Sequence, residues 1–172
     1  SQNLLDKPGY YEEVIHPEFI MPVTIEDLEN QFNKIPEKFN EGIKGIFLLG
    51  GSNKQEKINK SRLFCYGCYW LDCIFMLPYS KKKLEGTFIS KASPHILNDY
   101  KRVGAKVSKT SKGALIEFNN ESLKDFYLRD IFVHEIGHHV DKRYSKSLKK
   151  QEGFAEWFAT EYGFKFKHYF DK

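Results

Sequence analysis

The spacing of hydrophobic residues along the chain predicts an alternation of helices and strands. After an irregular lead-in over residues 1–22, apolar side chains recur every three or four positions, which predicts a helix over residues 25–34. Thr24 is the expected N-cap of this helix, and Asp27 stands three residues later, where it can complete a capping box. Pro36 marks its end, because proline has no N–H to continue the helix.

Short apolar runs bounded by glycine, proline or charged residues predict strands in the middle of the chain. They are GIKGIFLLGG at 42–51, RLFCYG and CYWLDCIFMLP on either side of the Gly67 boundary, EGTFIS at 85–90 and GALIEFNN at 113–120. The last run directly precedes the longest predicted helix, and we expect it to form the edge of the sheet. A helix is predicted before it, with Ser93 as N-cap, Pro94 at the first position and Gly104 just past the end.

The last third of the chain is predicted to be helical. Helical spacing indicates a long helix over residues 123–143, with Ser122 as the candidate cap and Asp125 three residues later. A final amphipathic helix begins near Lys150. The order helix, strands, helix, strand, helix, helix is typical of an α+β domain, in which helices pack on a twisted mixed sheet.

Length and composition are those of one globular domain. The 172 residues are 41% hydrophobic and 16% aromatic, enough to bury a sizeable core. No apolar run reaches the roughly 18–20 residues of a membrane helix, and the polar first residues, SQNLLDKPGYYEEV, do not read as a signal peptide. We therefore expect no membrane partner, while the choice between a secreted and a cytoplasmic protein stays open.

The charge balance changes this picture little. The net charge of +4 comes from 27 basic and 23 acidic residues. Lysines cluster at 54–60, 81–83, 101–112 and 142–150, which is typical of solvated loops and helix faces. A nucleic-acid surface usually carries more arginine and a stronger positive balance, so the composition argues against a nucleic-acid partner.

The three cysteines, Cys65, Cys68 and Cys73, lie within nine residues of one another. An odd, clustered set does not form a disulfide framework. The CxxC formed by the first two has no second pair with which to complete a structural zinc site. We therefore predict reduced, buried thiols.

The candidate chemistry lies in IFVHEIGHHV, residues 131–140. His134 and His138 are four residues apart on a predicted helix, so both imidazoles can reach one metal ion. Zinc binds neutral imidazole nitrogens, and Glu135 stands where it can take a proton from a metal-activated water. Because the flanking residues are apolar, the helix should be buried, and its polar groups then need a partner.

A catalytic zinc site needs a third protein ligand and an open position. Glu152 and Glu156, in KQEGFAEWFATEYG, are four residues apart on the last predicted helix and share one face. One carboxylate can bind the metal while the other accepts the remaining ring N–H of a ligand histidine. The spacing alone leaves open which glutamate takes which role.

The segments HEIGHHVD and EGFAEWFA resemble the HExGHxxD and ExFAExF segments of the lethal-factor-like peptidases, which include the secreted Pro-Pro endopeptidases. IEDLENQFNKIPEKF followed by GIFLL is similar to the helix and first strand of that family. The resemblance covers residues 24–49 and 130–160. It implies one zincin-like catalytic domain over 1–172, with an N-terminal lobe over 23–139 and a small C-terminal lobe over 140–172.

In the gluzincin pattern of that family, the third ligand is a glutamate followed four residues later by an acidic partner. The resemblance therefore implies that Glu152 binds the metal and that Glu156 orients His134. Two features depart from the family. The linker between the two motifs is shorter, and Ser145 holds the position of the family's transition-state tyrosine.

The residue that stabilises the transition state is consequently open. Tyr144, one position before the expected place, is the candidate for that role. Tyr162 and His139 are alternatives, each of which can instead serve packing or solvation.

The resemblance implies a zinc-dependent endopeptidase that hydrolyses peptide bonds through a metal-activated water, with Zn²⁺ as cofactor and Glu135 as general base. We expect a monomer that binds a protein or peptide substrate as an extended strand. One alternative is a binding or regulatory domain on the same fold with weak or no proteolysis. Another is a nucleic-acid-associated protease that uses the lysine-rich surface, and a third is a domain that holds no metal.

Overall fold

A computed structural model of the protein describes residues 7–52, 66–141 and 147–165. They form the α+β arrangement that the order of predicted elements indicates. The strands are β1 (Gly9–Glu12), β2 (Phe19–Ile20), β3 (Gly45–Leu48), β4 (Gly67–Trp70), β5 (Cys73–Met76), β6 (Tyr79–Ser80), β7 (Thr87–Ser90), β8 (Lys106–Thr110) and β9 (Gly113–Glu117). The helices are α1 (Ile25–Lys34), α2 (Glu37–Asn40), α3 (Pro94–Arg102), α4 (Asn120–Asp125), α5 (Val133–Val140) and α6 (Leu148–Phe158). A 3-10 turn covers Lys81–Lys83, and π-helical segments cover Phe126–Phe132 and Ala159–Lys165.

The larger sheet has four strands in the order β1-β3-β5-β4. Its first three strands are parallel, and β4 runs antiparallel to β5 along one edge. One face of the central strands is packed into the core, since Ile46, Leu48, Ile74 and Met76 are no more than 2% exposed. Helix α5 contacts β4, so this edge of the sheet lies beside the helix that carries the candidate histidines.

The prediction of an irregular lead-in over residues 1–22 is wrong for two segments. β1 pairs in parallel with β3, and β2 pairs antiparallel with β6. Strands of four and two residues are too short for an alternating pattern to appear in the sequence, and their partners lie far along the chain.

The smaller sheet corrects the expectation that residues 113–120 form a sheet edge. Its order is β7-β9-β8, so β9 is the central strand and pairs antiparallel on both sides. A strand that is paired on both sides cannot add an extended peptide. Among the described residues, the sheet edge that borders the histidine helix is β4 instead.

The hairpin between β4 and β5 turns at a different place from the one predicted. Gly67 begins β4, and the chain reverses at Leu71 and Asp72, whose φ angles are 48° and 61°. A two-residue hairpin loop of this kind needs positive φ at both central positions, which usually selects asparagine, aspartate or glycine. Leu71 gives no such signal, so the sequence pattern placed the break at the glycine.

The prediction of buried cysteines is wrong for the two that the structure describes. Cys68 and Cys73 are free thiols, as expected, but Cys68 is exposed and Cys73 is partly exposed. The cause is that Cys68 points outward from an edge strand. Cys65 lies outside the described residues.

Two of the predicted helices are confirmed with their caps. α1 covers residues 25–34, where Thr24 Oγ1 accepts from the N–H of Asp27 and Asp27 accepts from the N–H of Thr24. α3 begins after Ser93, whose hydroxyl accepts a backbone N–H, and ends before Gly104 at φ +91°. Both caps are local in sequence, which explains why the sequence pattern predicts them.

The long helix predicted over residues 123–143 extends over 120–140 and is not a uniform α-helix. Its N-cap is Asn119, and Ser122 completes a capping box from the third helical position. The central turns are π-helical and pack on the second π-helical segment, where Arg129 Nε donates to the carbonyl of Gly163 at 2.9 Å. Within the described residues, no helix has both the length and the apolar character that crossing a bilayer requires.

Candidate metal centre

Helix α5 presents its polar side chains in two neighbouring rows. His134 and His138 form one row, and Glu135 and His139 form the next, because residues four apart lie above one another on a helix. The helix is fixed in the core by residues such as Ile136, which has no exposed surface. The two rows therefore face two different neighbouring elements.

The first row faces α6, which approaches α5 at a glycine. A Cβ built on Gly137 would lie 3.0 Å from both Ala155 Cα and Phe158 Cβ, so the two helix backbones are in contact at this point. Ala155 and Phe158 are fully buried. This close contact places Glu152, one turn earlier on α6, beside the two histidines.

The side chains of His134, His138 and Glu152 converge on one point. His134 Nε2 lies 3.1 Å from Glu152 Oε2, and His138 Nε2 lies 3.0 Å from Glu152 Oε1. One donor atom from each of the three residues lies within 4.8 Å of the other two. The imidazole rings are 4.9 Å apart between centroids and inclined at 75° to each other.

The donor set and its spacing fit a divalent metal ion. Bonds of about 2.0–2.1 Å at tetrahedral angles put neighbouring donor atoms roughly 3.4 Å apart, and the donor atoms of the three residues lie within 4.8 Å of one another. Two imidazoles and one carboxylate are also a ligand set that catalytic zinc sites use. The Glu152 side chain is 57% exposed, so the triad opens towards solvent on its side.

Burial and charge set the protonation of the triad. Burial lowers the pKa of His134, but the hydrogen bond to Glu152 and the charge of Glu135 outweigh it, and the pKa is raised. For His138, burial and the neighbouring His134 lower the pKa. The hydrogen bond to His134 lowers the pKa of Glu152. An ionised carboxylate and a neutral imidazole are the forms that bind metal, so the lowered pKa values of Glu152 and His138 favour metal binding and the raised pKa of His134 opposes it.

Glu135 lies in the second row, against strand β4. Its side chain is buried, and burial raises the pKa of its carboxyl to about 7, with His134 opposing and Glu152 reinforcing the shift. A carboxylate with a pKa near neutrality is suited to accept and return a proton. A Cβ on Gly67 of β4 would lie 3.2 Å from Glu135 Oε1, so the bare backbone of the edge strand passes directly beside this carboxylate.

Glu156 has a different partner from the one predicted. Its Oε2 lies 3.5 Å from His95 Nε2 at the start of α3, and both side chains are exposed. One helical turn of about 5.4 Å separates Glu156 from Glu152, which carries it past the rings of the triad. Among the described residues, the group that could hold a metal ion includes Glu152 and not Glu156.

An acidic neighbour of His134 that the sequence analysis missed is Asp130. It lies four residues before that histidine, and its charge is among the causes that raise the pKa of His134. Burial raises the pKa of Asp130 itself to about 6, against the opposing charge of Arg102, whose Nη2 is 3.7 Å from Asp130 Oδ2. The aspartate-to-histidine spacing of four was the available signal in the sequence.

The three candidates for transition-state stabilisation have different positions. Tyr144 lies outside the described residues. Tyr162 packs its ring against those of Phe39 and Phe158, at centroid distances of 4.9 and 4.6 Å. His139 is 2% exposed, and both of its ring nitrogens contact groups other than the triad. Ring contacts therefore hold Tyr162, and polar contacts at both ring nitrogens hold His139.

Comparisons of the chain with protein families, with curated proteins and with solved structures found no match.

Proposed function

We propose that the protein is a zinc-dependent endopeptidase with a zincin-like fold of the gluzincin type, similar to the lethal-factor-like peptidases. The observation that carries the proposal is the convergence of His134, His138 and Glu152. The two histidines lie on α5 and Glu152 lies on α6, so the packing of one helix on the other brings them together. The regular geometry of a single helix would not do so. This convergence supports the proposal more than the short sequence motif does alone.

The residues of the chain divide the work as follows. His134, His138 and Glu152 would hold the metal ion, which supplies Lewis-acid polarisation of a carbonyl and makes water a stronger acid. Glu135 accepts the proton of the attacking water and returns it to the leaving amine, for which its burial beside β4 and its raised pKa are suitable. The transition-state donor is left unassigned, since Tyr144 lies outside the described residues.

The geometry of β4 supports a peptide substrate. β4 is an edge strand, its partner on one side is β5, and its backbone passes beside Glu135 at Gly67. An extended peptide that pairs with β4 on the side opposite β5 would lie with its backbone next to the triad and the base. The side chains of Cys68 and Trp70, both exposed, would then contact alternate residues of that peptide.

The first experiment measures metal content and cleavage together. Protein purified without added zinc is analysed for bound metal, and a peptide library is then incubated with it in the presence and absence of a chelator. We expect about one zinc ion per chain and cleavage that the chelator abolishes and zinc restores.

The decisive variant is Glu135→Gln, which keeps the size of the side chain and removes its basicity. We expect it to retain zinc and to lose activity by about 10²–10⁴-fold, as is typical when a general base is removed. Glu26→Gln, on the exposed face of α1, is the matched control and should behave as wild type. Zinc binding without cleavage in the wild type would favour the binding-domain alternative, and full activity in Glu135→Gln would contradict the hydrolytic mechanism.

A further inference from the structure

His139 follows a candidate metal ligand directly, yet it takes part in a separate set of contacts. Its ring is 2% exposed. The Nε2 atom lies 2.6 Å from the carbonyl oxygen of Glu41, just after α2, and the Nδ1 atom lies 2.7 Å from the hydroxyl of Tyr69 on β4. The ring therefore bridges the histidine helix to two other elements.

The chemistry of the neighbours fixes part of the proton arrangement. A backbone carbonyl can only accept, so Nε2 of His139 donates to Glu41. The Tyr69 hydroxyl has one proton and reaches two groups, His139 Nδ1 at 2.7 Å and Asp72 Oδ1 at 3.0 Å. Asp72 lies in the β4–β5 turn, where its carbonyl accepts the N–H of Lys44 at 2.8 Å. Contacts at hydrogen-bonding distance thus run from Glu41 through His139 to Tyr69, whose single proton can go either to His139 or to Asp72 in the turn.

These contacts hold β4 against α5 at two levels. Gly67 and Tyr69 are two residues apart and lie on the same face of the strand, while Glu135 and His139 are four apart on the same face of the helix. Gly67 meets Glu135, and Tyr69 meets His139 one helical turn further along. The Tyr69–His139 contact, at 2.7 Å between the hydroxyl oxygen and Nδ1, is a directional link between the two elements.

We propose that Tyr69 and His139 are positioning residues that fix the register of β4 on helix α5. Through β4 they set where the backbone of a peptide paired with that strand lies relative to Glu135 and the metal triad. This role rests on the proposed peptidase function. A misplacement of about 1 Å in such an arrangement can cost as much as 10²-fold in rate, so the register of this strand has a direct catalytic consequence.

A buried histidine needs hydrogen-bond partners in any protein, so the test has to separate positioning from stability. A purely structural contact would affect all substrates equally and would lower the free energy of unfolding. A positioning contact would matter most for peptides long enough to pair with β4, and it would leave the metal triad unchanged. Substrate length and zinc affinity are therefore the readouts that distinguish the two roles.

The test uses Tyr69→Phe in the full chain. The ring keeps its edge contact with the His139 ring, whose centroid is 5.5 Å away, so this variant removes only the hydroxyl. Tyr11→Phe, exposed on the opposite edge strand β1 of the same sheet, is the matched control. His139→Gln keeps one donor and one acceptor and serves as the conservative variant, against His139→Phe, which keeps neither.

Two kinds of measurement are made on each variant. The first compares the octapeptide that the wild type cleaves fastest with its central tetrapeptide. We expect Tyr69→Phe and His139→Phe to lower kcat/KM for the octapeptide about tenfold, with kcat/KM for the tetrapeptide and the zinc affinity changed less than about twofold. The second measures amide hydrogen exchange over Gly67–Trp70 in zinc-free and zinc-loaded protein. We expect faster exchange in Tyr69→Phe and His139→Phe. Exchange in His139→Gln and Tyr11→Phe should stay near that of the wild type.

Unchanged exchange in β4 together with unchanged kcat/KM for the octapeptide in Tyr69→Phe would overturn the proposal. Equal losses on both peptides with weaker zinc binding would also overturn it, since that pattern indicates a general structural defect. If the wild type cleaves no peptide although it holds zinc, the peptidase function fails. The exchange measurement then still decides whether Tyr69 and His139 hold β4 on the helix.

Discussion

Gly137 is the position at which the candidate metal centre is most sensitive to a single added carbon. It lies between the two candidate histidine ligands on α5 and faces α6. The Cβ of an alanine there would stand 3.0 Å from Ala155 Cα and from Phe158 Cβ, and 3.4 Å from the carbonyl oxygen of Ala155. Two of these three atoms belong to backbone, which cannot rotate away, so the helices themselves have to separate.

The size of this separation follows from ordinary contact distances. Carbon atoms pack at about 3.5–4.0 Å, so relief of the two 3.0 Å contacts requires α6 to withdraw by roughly 0.5–1 Å. Glu152 lies on the same helix, one turn earlier, and moves with it. Zinc–ligand distances tolerate only about 0.2 Å, so a displacement of this size weakens the bond between the carboxylate and an ion held by the histidines.

The effect on stability is expected to be smaller than the effect on metal binding. Alanine favours a helix interior over glycine by about 1 kcal/mol, while overpacking of a buried contact costs about 1–3 kcal/mol. Gly137→Ala should therefore fold, with the free energy of unfolding lower by roughly 0–2 kcal/mol. Zinc affinity should fall by about 10–100-fold, the range seen when the support of a ligand is disturbed.

The assay is a competition titration against a chromophoric zinc chelator, with urea unfolding of the zinc-free protein alongside. Gly153→Ala is the matched control, because this glycine is exposed on α6 beside Glu152 and a Cβ there would meet no atom within 4 Å. The control should keep wild-type zinc affinity and gain up to about 1 kcal/mol of stability. Wild-type zinc affinity in a well-folded Gly137→Ala would refute the argument that the α5–α6 contact sets the geometry of the triad.

Three further predictions concern other parts of the molecule. Asp27→Asn should lower the free energy of unfolding by about 1 kcal/mol at neutral pH. Burial raises the pKa of Asp27, but the hydrogen bonds to Lys124 and Thr24 outweigh burial and lower the pKa. The stability that Asp27 contributes is therefore lost as pH falls through this lowered pKa. In acid unfolding monitored by circular dichroism, the free energy of unfolding of the variant should fall less steeply with pH. Gly67→Ala should reduce peptidase activity at least about tenfold with zinc affinity retained, because its Cβ would lie 2.7 Å from Ile131 Cγ2 and 3.1 Å from Glu135 Cγ, so β4 has to move away from α5. Equal activity would contradict the argument that this contact positions the strand relative to the base. Zinc at about 100 times its Kd should raise the free energy of unfolding by about 2.7 kcal/mol, and the absence of any shift in thermal unfolding would contradict a native-state zinc site.

The parts of the fold that the sequence predicts well are those whose causes are local. The capped ends of α1 and α3 depend on residues within three or four positions of one another, such as Thr24 with Asp27 and Ser93 with Ile96. The two helices of the candidate metal centre follow the same rule, since their apolar spacing is visible directly. Local chemistry of this kind needs no knowledge of the rest of the chain.

The parts that the sequence pattern misses depend on partners far along the chain. β1 becomes a strand because it pairs with β3, about 36 residues later, and β9 is central because β7 and β8 both pair with it. The π-helical turns before His134 have no sequence signal that we can identify. Glu156 shows the same limit at the level of one side chain, since its partner His95 is 61 residues away and comes close only through the packing of α3.

The six residues from His134 to His139 contact two neighbouring elements of the fold. The first row of α5 presents two imidazoles to Glu152, and Gly137 lets α6 come near enough for all three side chains to meet. The second row presents Glu135 and His139 to β4, where Gly67 and Tyr69 receive them. One helix therefore fixes the metal ligands on one side and the candidate substrate strand on the other. Both contacts depend on the same eight-residue helix. A shift of α5 relative to either neighbour therefore changes the distance between the metal ligands and a peptide on β4. Hydrolysis depends on that distance.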